Sequence, residues 1–162
     1  MSKNIEEQLA ALNRLYKEQD DLYRTYAVKK GISVTEFWIL YALCSSDDPH
    51  SQQELCDTWF YPKQTINSAI NKLTRNDYVA LKPAAGAGNR KNVQLTKAGK
   101  AFCQSHIEPL INAEEAAFLR FGEEERNTYL SLFQKQIAYL KDEIETNNKE
   151  LSSENLRSQS QC

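Results

Sequence analysis

Apolar residues recur at Ile5, Leu9, Leu12, Tyr16, Tyr23 and Tyr26 in steps of three, four or seven, which predicts a long first helix with one apolar stripe. Gly31 is placed to end it in a left-handed conformation, and Ser33 with Glu36 forms a capping box for a second helix over roughly 34–44. That second helix is apolar nearly all round, as expected of the buried centre of a domain. The polar run 45–49 reads as a loop. Ser51 and Glu54 form another capping box, opening a short helix to about Thr58 that turns Leu55 and Cys56 inward. Trp59, Phe60 and Tyr61 are expected to fill the turn after it.

Pro62 suits a first helical position, since its missing amide hydrogen would be unpaired there, and a helix with the stripe Ile66, Ala69, Ile70, Leu73 follows to about Asn76. Two short β-patterned runs, 78–82 and 91–95, flank the Gly- and Ala-rich stretch 83–89, so a two-stranded hairpin with Arg90 at its tip is predicted. Thr96 caps a helix expected to run from Lys97 to about Phe121, which Gly122 closes. Three acids then open a last helix carrying Leu130, Phe133, Ile137, Leu140 and Ile144. Residues 148–162 lack a repeating apolar face and read as a flexible polar tail. The fold class is mainly α with a small β-hairpin: a winged helix-turn-helix lobe over 33–100, flanked by terminal helices.

With 162 residues, the chain accommodates one ordinary domain or a two-lobed unit. The longest apolar run, 37–44, is far shorter than the roughly 18 residues that span a bilayer, and the first residues carry no apolar leader. The expectation is a cytoplasmic protein without membrane contact. Cys44, Cys56, Cys103 and Cys162 show no CxxC spacing and are read as reduced thiols. Net charge is −2, yet it is segregated. Between Pro62 and Lys100 stand eight cations (Lys63, Lys72, Arg75, Lys82, Arg90, Lys91, Lys97, Lys100) and one acid, Asp77, which leaves −9 elsewhere. Such segregation presents one basic face to a polyanion.

The run Leu95-Thr96-Lys97-Ala98-Gly99 resembles the Leu-Thr-x-x-Gly signature that follows the wing in MarR-type transcriptional regulators. The wing arginine, the central helix-turn-helix and the long end helices are similar to that family too, over residues 1 to about 147. Residues 61–70 look like the recognition helix of one of its branches. The resemblance implies a single MarR-type unit whose residues 1–32 and 101–147 form a dimerisation lobe. It also implies a homodimeric repressor or activator, often released from DNA by a small molecule. Asp77 stands where relatives often have glycine, a position an aspartate tolerates in the left-handed region.

A helix fits the major groove and reads bases with residues near its N-terminus. Lys63, Gln64, Thr65, Asn67 and Ser68 are therefore the candidate base-reading or backbone-contacting residues. Lys72, Arg75, Lys82 and Lys91 are phosphate candidates, and Arg90 is placed to enter a narrow A·T-rich minor groove. Two copies related by a two-fold axis would set their reading helices about 34 Å apart on a pseudo-palindromic site. Tyr16, Tyr23, Tyr26, Trp38 and Tyr41 are candidates for an effector cleft, against the plainer reading of core aromatics.

Competing classes find little support. The chain has no nucleotide-cradling loop before a helix, no GxSxG and no HExxH, so no enzyme, cofactor or resident metal is expected. A metal sensor built on Cys103, His106 and His50 or Glu108, a thiol sensor, and a winged helix that binds protein instead of DNA are the alternatives. The basic character of the helix after Pro62 weighs against the last.

Overall fold

The computed structural model describes the backbone of residues 3–46, 50–83 and 91–159, with side chains as far as Lys149. The chain forms two compact units, one ending at Asn112 and the other beginning at Ala113. In the first lie α1 (Lys3–Lys29), α2 (Val34–Ser45), β1 (His50–Ser51), α3 (Gln52–Trp59), α4 (Lys63–Arg75), β2 (Val79–Pro83), β3 (Lys91–Leu95) and α5 (Lys97–His106). Helix α6 (Glu108–Leu119) begins in the first unit and ends in the second, which also holds α7 (Glu123–Gln159).

Helix α2 is the buried centre that its composition predicts: Phe37, Ile39 and Leu40 are fully enclosed. Around them close Leu55 of α3, Ile66, Ile70 and Leu73 of α4, Val79 and Val93 of the sheet, and Cys103 and Ile107 beyond it. Both capping boxes form, with the Ser33 and Ser51 side chains each accepting from the N–H of the glutamate three residues on. Gly31 ends α1 at φ 75°, and Asp77 turns the chain after α4 at φ 59°, both left-handed.

The sheet has three strands rather than the expected two. The order is β1-β3-β2, all antiparallel, with His50 opposite Val93 and Val79 opposite Leu95. His50 and Ser51 are too few to show any alternation, and their pairing is fixed by tertiary placement beside β3.

The helix expected over 97–121 is broken. Pro109 has no N–H to offer the Ser105 carbonyl. The ladder shifts there, with Leu110 N–H bonding to the Ile107 carbonyl at 3.0 Å. The His106 carbonyl, deprived of its usual partner, accepts instead from the Tyr26 hydroxyl at 2.7 Å.

In the second unit, Phe118, Phe121, Tyr129 and Phe133 form a chain of ring contacts with centroids 6.1–6.5 Å apart. Helix α7 continues to Gln159, twelve residues past Asn147, where the polar composition predicts a flexible tail. The stretch lacks glycine and proline, so nothing in its backbone chemistry stops a helix already nucleated. In the single chain Leu130, Ile137, Leu140 and Ile144 of α7 remain exposed, as do Ile5, Leu9 and Leu22 of α1.

The thiols at 44 and 103 are not both reduced. Cys44 at the end of α2 and Cys103 in α5 form a disulfide, with Cα atoms 6.5 Å apart across 59 residues of sequence. The sequence spacing carries no trace of this, because the pairing arises only when α5 lies against α2. Cys56 is free and buried.

Candidate nucleic-acid interface

Helices α3 and α4 are joined by the three residues Phe60, Tyr61 and Pro62. Phe60 closes α3 at φ 53°, and its ring is 90% exposed, so it does not fill the turn as expected. Trp59 does: its indole stacks on Trp38 at 4.5 Å and meets Tyr41 edge-on. Pro62 sits one place earlier than predicted, as the N-cap, and supplies no side-chain cap. The N–H groups of Lys63, Gln64 and Thr65 therefore have no intrahelical acceptor, and they stand at the positive end of the α4 dipole.

The two faces of α4 are sharply divided. Ile66, Ala69, Ile70 and Leu73 are all buried, as the stripe predicts. Lys63, Gln64, Thr65 and Ser68 are exposed on the opposite side over the first two turns. The Asn67 side chain is half-buried, and its Oδ1 is enclosed with no hydrogen-bond partner among the described residues. Arg75 is exposed at the far end of the helix.

Lys72 is placed differently from a free phosphate contact. Its Nζ lies 2.9 Å from Glu36 Oε1, and the Glu36 side chain is 2% exposed. Helical periodicity cannot reveal this pair, because Glu36 looks like an ordinary N3 capping residue in the sequence.

On the hairpin, Lys82 and Lys91 are exposed, Lys91 opening β3 opposite Pro83. Arg90 and the stretch 84–89 lie outside the described residues. The base of the hairpin is tied down by Thr96. Its hydroxyl donates to the Asp77 carbonyl and accepts from Gly99 N–H, while its own N–H donates to the Tyr78 carbonyl at 3.1 Å. Gly99 packs so closely that a Cβ there would lie 1.9 Å from the Tyr78 oxygen. The Leu-Thr-x-x-Gly run thus has a physical reason: the threonine binds the turn before β2, and only glycine fits under it.

A groove of about 500 Å³ lies beside this lobe, lined by Lys17, Asp20, Asp21, Tyr23 and Arg24 of α1, Val34 and Trp38 of α2, and Tyr61. Two ion pairs of α1, Lys17 with Asp20 and Arg24 with Asp21, stand at it. Of the five aromatic effector candidates, Tyr23 and Trp38 line this groove. Tyr26 is engaged by the His106 carbonyl, and Tyr41 packs against Phe37, Trp38 and Trp59. Tyr16 is half-buried and is not among the lining residues. Tyr61 is the lining aromatic that sequence reading missed, since it was assigned only to the turn.

Among the described residues no group of three or more His, Cys, Asp or Glu side chains is arranged to hold a metal ion, and no helix is long and apolar enough to cross a membrane. Cys103, one of the residues considered for a metal, has its sulfur in the disulfide.

Residues 30–88 match the sequence profile of the MarR family. No curated protein matches the chain in sequence. Solved structures with the same architecture include a MarR family regulator from Neisseria meningitidis, at TM-score 0.72 and 18% identity, covering 86% of this chain and 98% of that one. A MarR/EmrR family transcriptional regulator from Acinetobacter aligns at TM-score 0.68 and 21% identity, covering 87% and 99%. The MepR–DNA complex of Staphylococcus aureus aligns at TM-score 0.64 and 16% identity, covering 81% and 96%. The chain shares the fold of these regulators, and its match to the MarR profile is confined to residues 30–88.

Proposed function

We propose that this MarR-type chain is a sequence-specific, double-stranded-DNA-binding transcriptional regulator acting as a homodimer on pseudo-palindromic promoter sites. The observation that carries the reading is the division of α4: one face wholly buried, the other offering Lys63, Gln64, Thr65 and Ser68 to solvent at the helix N-terminus. No acid lies between Pro62 and Asp77. Donors and acceptors of this kind match base edges in the major groove, and the unpaired N–H groups beside them suit a phosphate. Arg75, Lys82 and Lys91 add sequence-independent attraction. Arg90 and Asn67 complete the set, Arg90 toward the minor groove.

The dimer is supported by the apolar residues that α1 and, separately, α7 leave exposed along their lengths in the single chain. The groove lined by Tyr23, Trp38 and Tyr61 is the proposed seat of a small-molecule effector.

Selection of duplexes from a random pool at two salt concentrations tests the reading. A symmetric motif with steep salt dependence is expected, and Lys63→Ala with Gln64→Ala should weaken binding and relax the motif. Failure to retain any duplex in dilute buffer overturns it.

A further inference from the structure

We propose that Glu36 is a positioning residue for the DNA-reading helix, holding α4 through Lys72, so that the Lys72 charge serves the protein's geometry rather than a phosphate. The inference rests on the reading of α4 as the DNA-contacting helix.

Glu36 is the one buried charged residue among those described, 2% exposed. Its two oxygens serve two elements. Oε2 accepts from the N–H of Ser33 at 3.1 Å, which fixes the start of α2, and Oε1 meets Lys72 Nζ at 2.9 Å, three turns into α4. A carboxylate enclosed in this way must be paired or hydrogen-bonded, and here it is both. Lys72 reaches it from a half-exposed position.

A buried ion pair adds little net stability compared with well-packed apolar side chains, but it selects among packing arrangements. Apart from this pair, α2 and α4 meet in the apolar core, to which α4 brings Ile66, Ile70 and Leu73 and α2 brings Phe37, Ile39 and Leu40. Apolar burial is non-directional, so by itself it specifies the register of two helices less strictly than a paired charge does. The Glu36–Lys72 pair is the directional contact that fixes the register of α4, and with it the aim of Lys63, Gln64 and Thr65 about two turns away.

The test uses the full-length protein and the duplex obtained by selection, beside an unrelated duplex. In Glu36→Gln and Lys72→Met, affinity for the selected duplex is expected to fall about tenfold or more, equivalent to one lost base contact. Affinity for the unrelated duplex and the slope of log affinity against log salt should hold. Lys72→Arg, which keeps a cation facing Glu36, should restore discrimination. A slope reduced by about one in Lys72→Met, with Glu36→Gln unaffected, identifies Lys72 as an ordinary phosphate contact and overturns the proposal.

Should the single variants unfold, Glu36→Leu with Lys72→Leu removes both charges together and is expected to keep thermal stability while losing discrimination. Retained discrimination in that variant also overturns the proposal. If the parent binds no duplex, the DNA-binding reading fails by itself. Amide exchange over residues 63–75 then decides the positioning role, since it should accelerate in Glu36→Gln, and an unchanged rate overturns the role.

Discussion

Gly99→Ala offers a test in which local and tertiary arguments predict opposite signs. Gly99 is the third residue of α5, where alanine is intrinsically better by about 0.5–1 kcal/mol. Propensity alone therefore predicts a more stable protein. The structure predicts the reverse, because an added Cβ would stand 1.9 Å from the Tyr78 oxygen, 2.8 Å from its carbonyl carbon and 3.2 Å from its Cα. These are backbone atoms, so relief requires that α5 withdraw from the turn before β2. Forced overpacking of this kind costs about 1–3 kcal/mol, and withdrawal also loosens the Thr96–Tyr78 hydrogen bond, worth about 1 kcal/mol. After the helix gain is subtracted, a loss of about 1–3.5 kcal/mol remains, or a melting temperature lower by about 2–14 °C for a chain of this size. Urea and thermal unfolding followed by circular dichroism measure it. Gly122→Ala is the matched control, its nearest non-neighbour atom being the flexible Glu125 carboxylate at 3.5 Å, and it should cost under about 1 kcal/mol. If Gly99→Ala is as stable as the parent or more so, the close-packing account of the Leu-Thr-x-x-Gly run is wrong.

Tyr26→Phe should destabilise by about 1–2 kcal/mol in the same assays, because it leaves the His106 carbonyl without the hydroxyl that replaces its helical partner. Phe60→Gly should raise stability by about 0.5–1 kcal/mol, since φ 53° is left-handed and the exposed ring has little packing to lose; a destabilised variant refutes that. The Ser51 N–H, and after it the Ser51 hydroxyl, hold the Glu54 carboxyl below its ordinary value, with His50 adding to the effect. A lowered folded-state pKa gives stability that is present above the unfolded value and lost as pH falls through the folded one. The parent's advantage over Glu54→Gln should therefore shrink on acidification across the carboxylate range, and a pH-independent difference in unfolding midpoints refutes the assignment.

The elements with their own local grammar were legible in the sequence. Ser33/Glu36 and Ser51/Glu54 announce helix starts by the spacing of hydroxyl and carboxylate, and Ile66, Ala69, Ile70 and Leu73 announce a buried face by period alone. The exposed side of α4 follows from that by subtraction, which is why Lys63, Gln64, Thr65 and Ser68 stand where expected. What stayed hidden depends on groups meeting across the fold. The two-residue β1 exists only because β3 lies beside it, and the Cys44–Cys103 link only because α5 crosses α2. The break before α6 did have a local signal in Pro109, overridden by the apolar period on either side. Lys72 illustrates the limit most directly: its position on α4 is readable, but its partner comes from another helix and changes what its charge does.

Ser51 belongs to two structures at once, being the last residue of β1, opposite Asn92, and the N-cap of α3. Strand β3 is thus linked to the first turn of α3 through one rung of ladder and one hydroxyl. Because β1 and α3 share that residue, a substitution at Ser51 is expected to disturb the strand pairing and the helix start together.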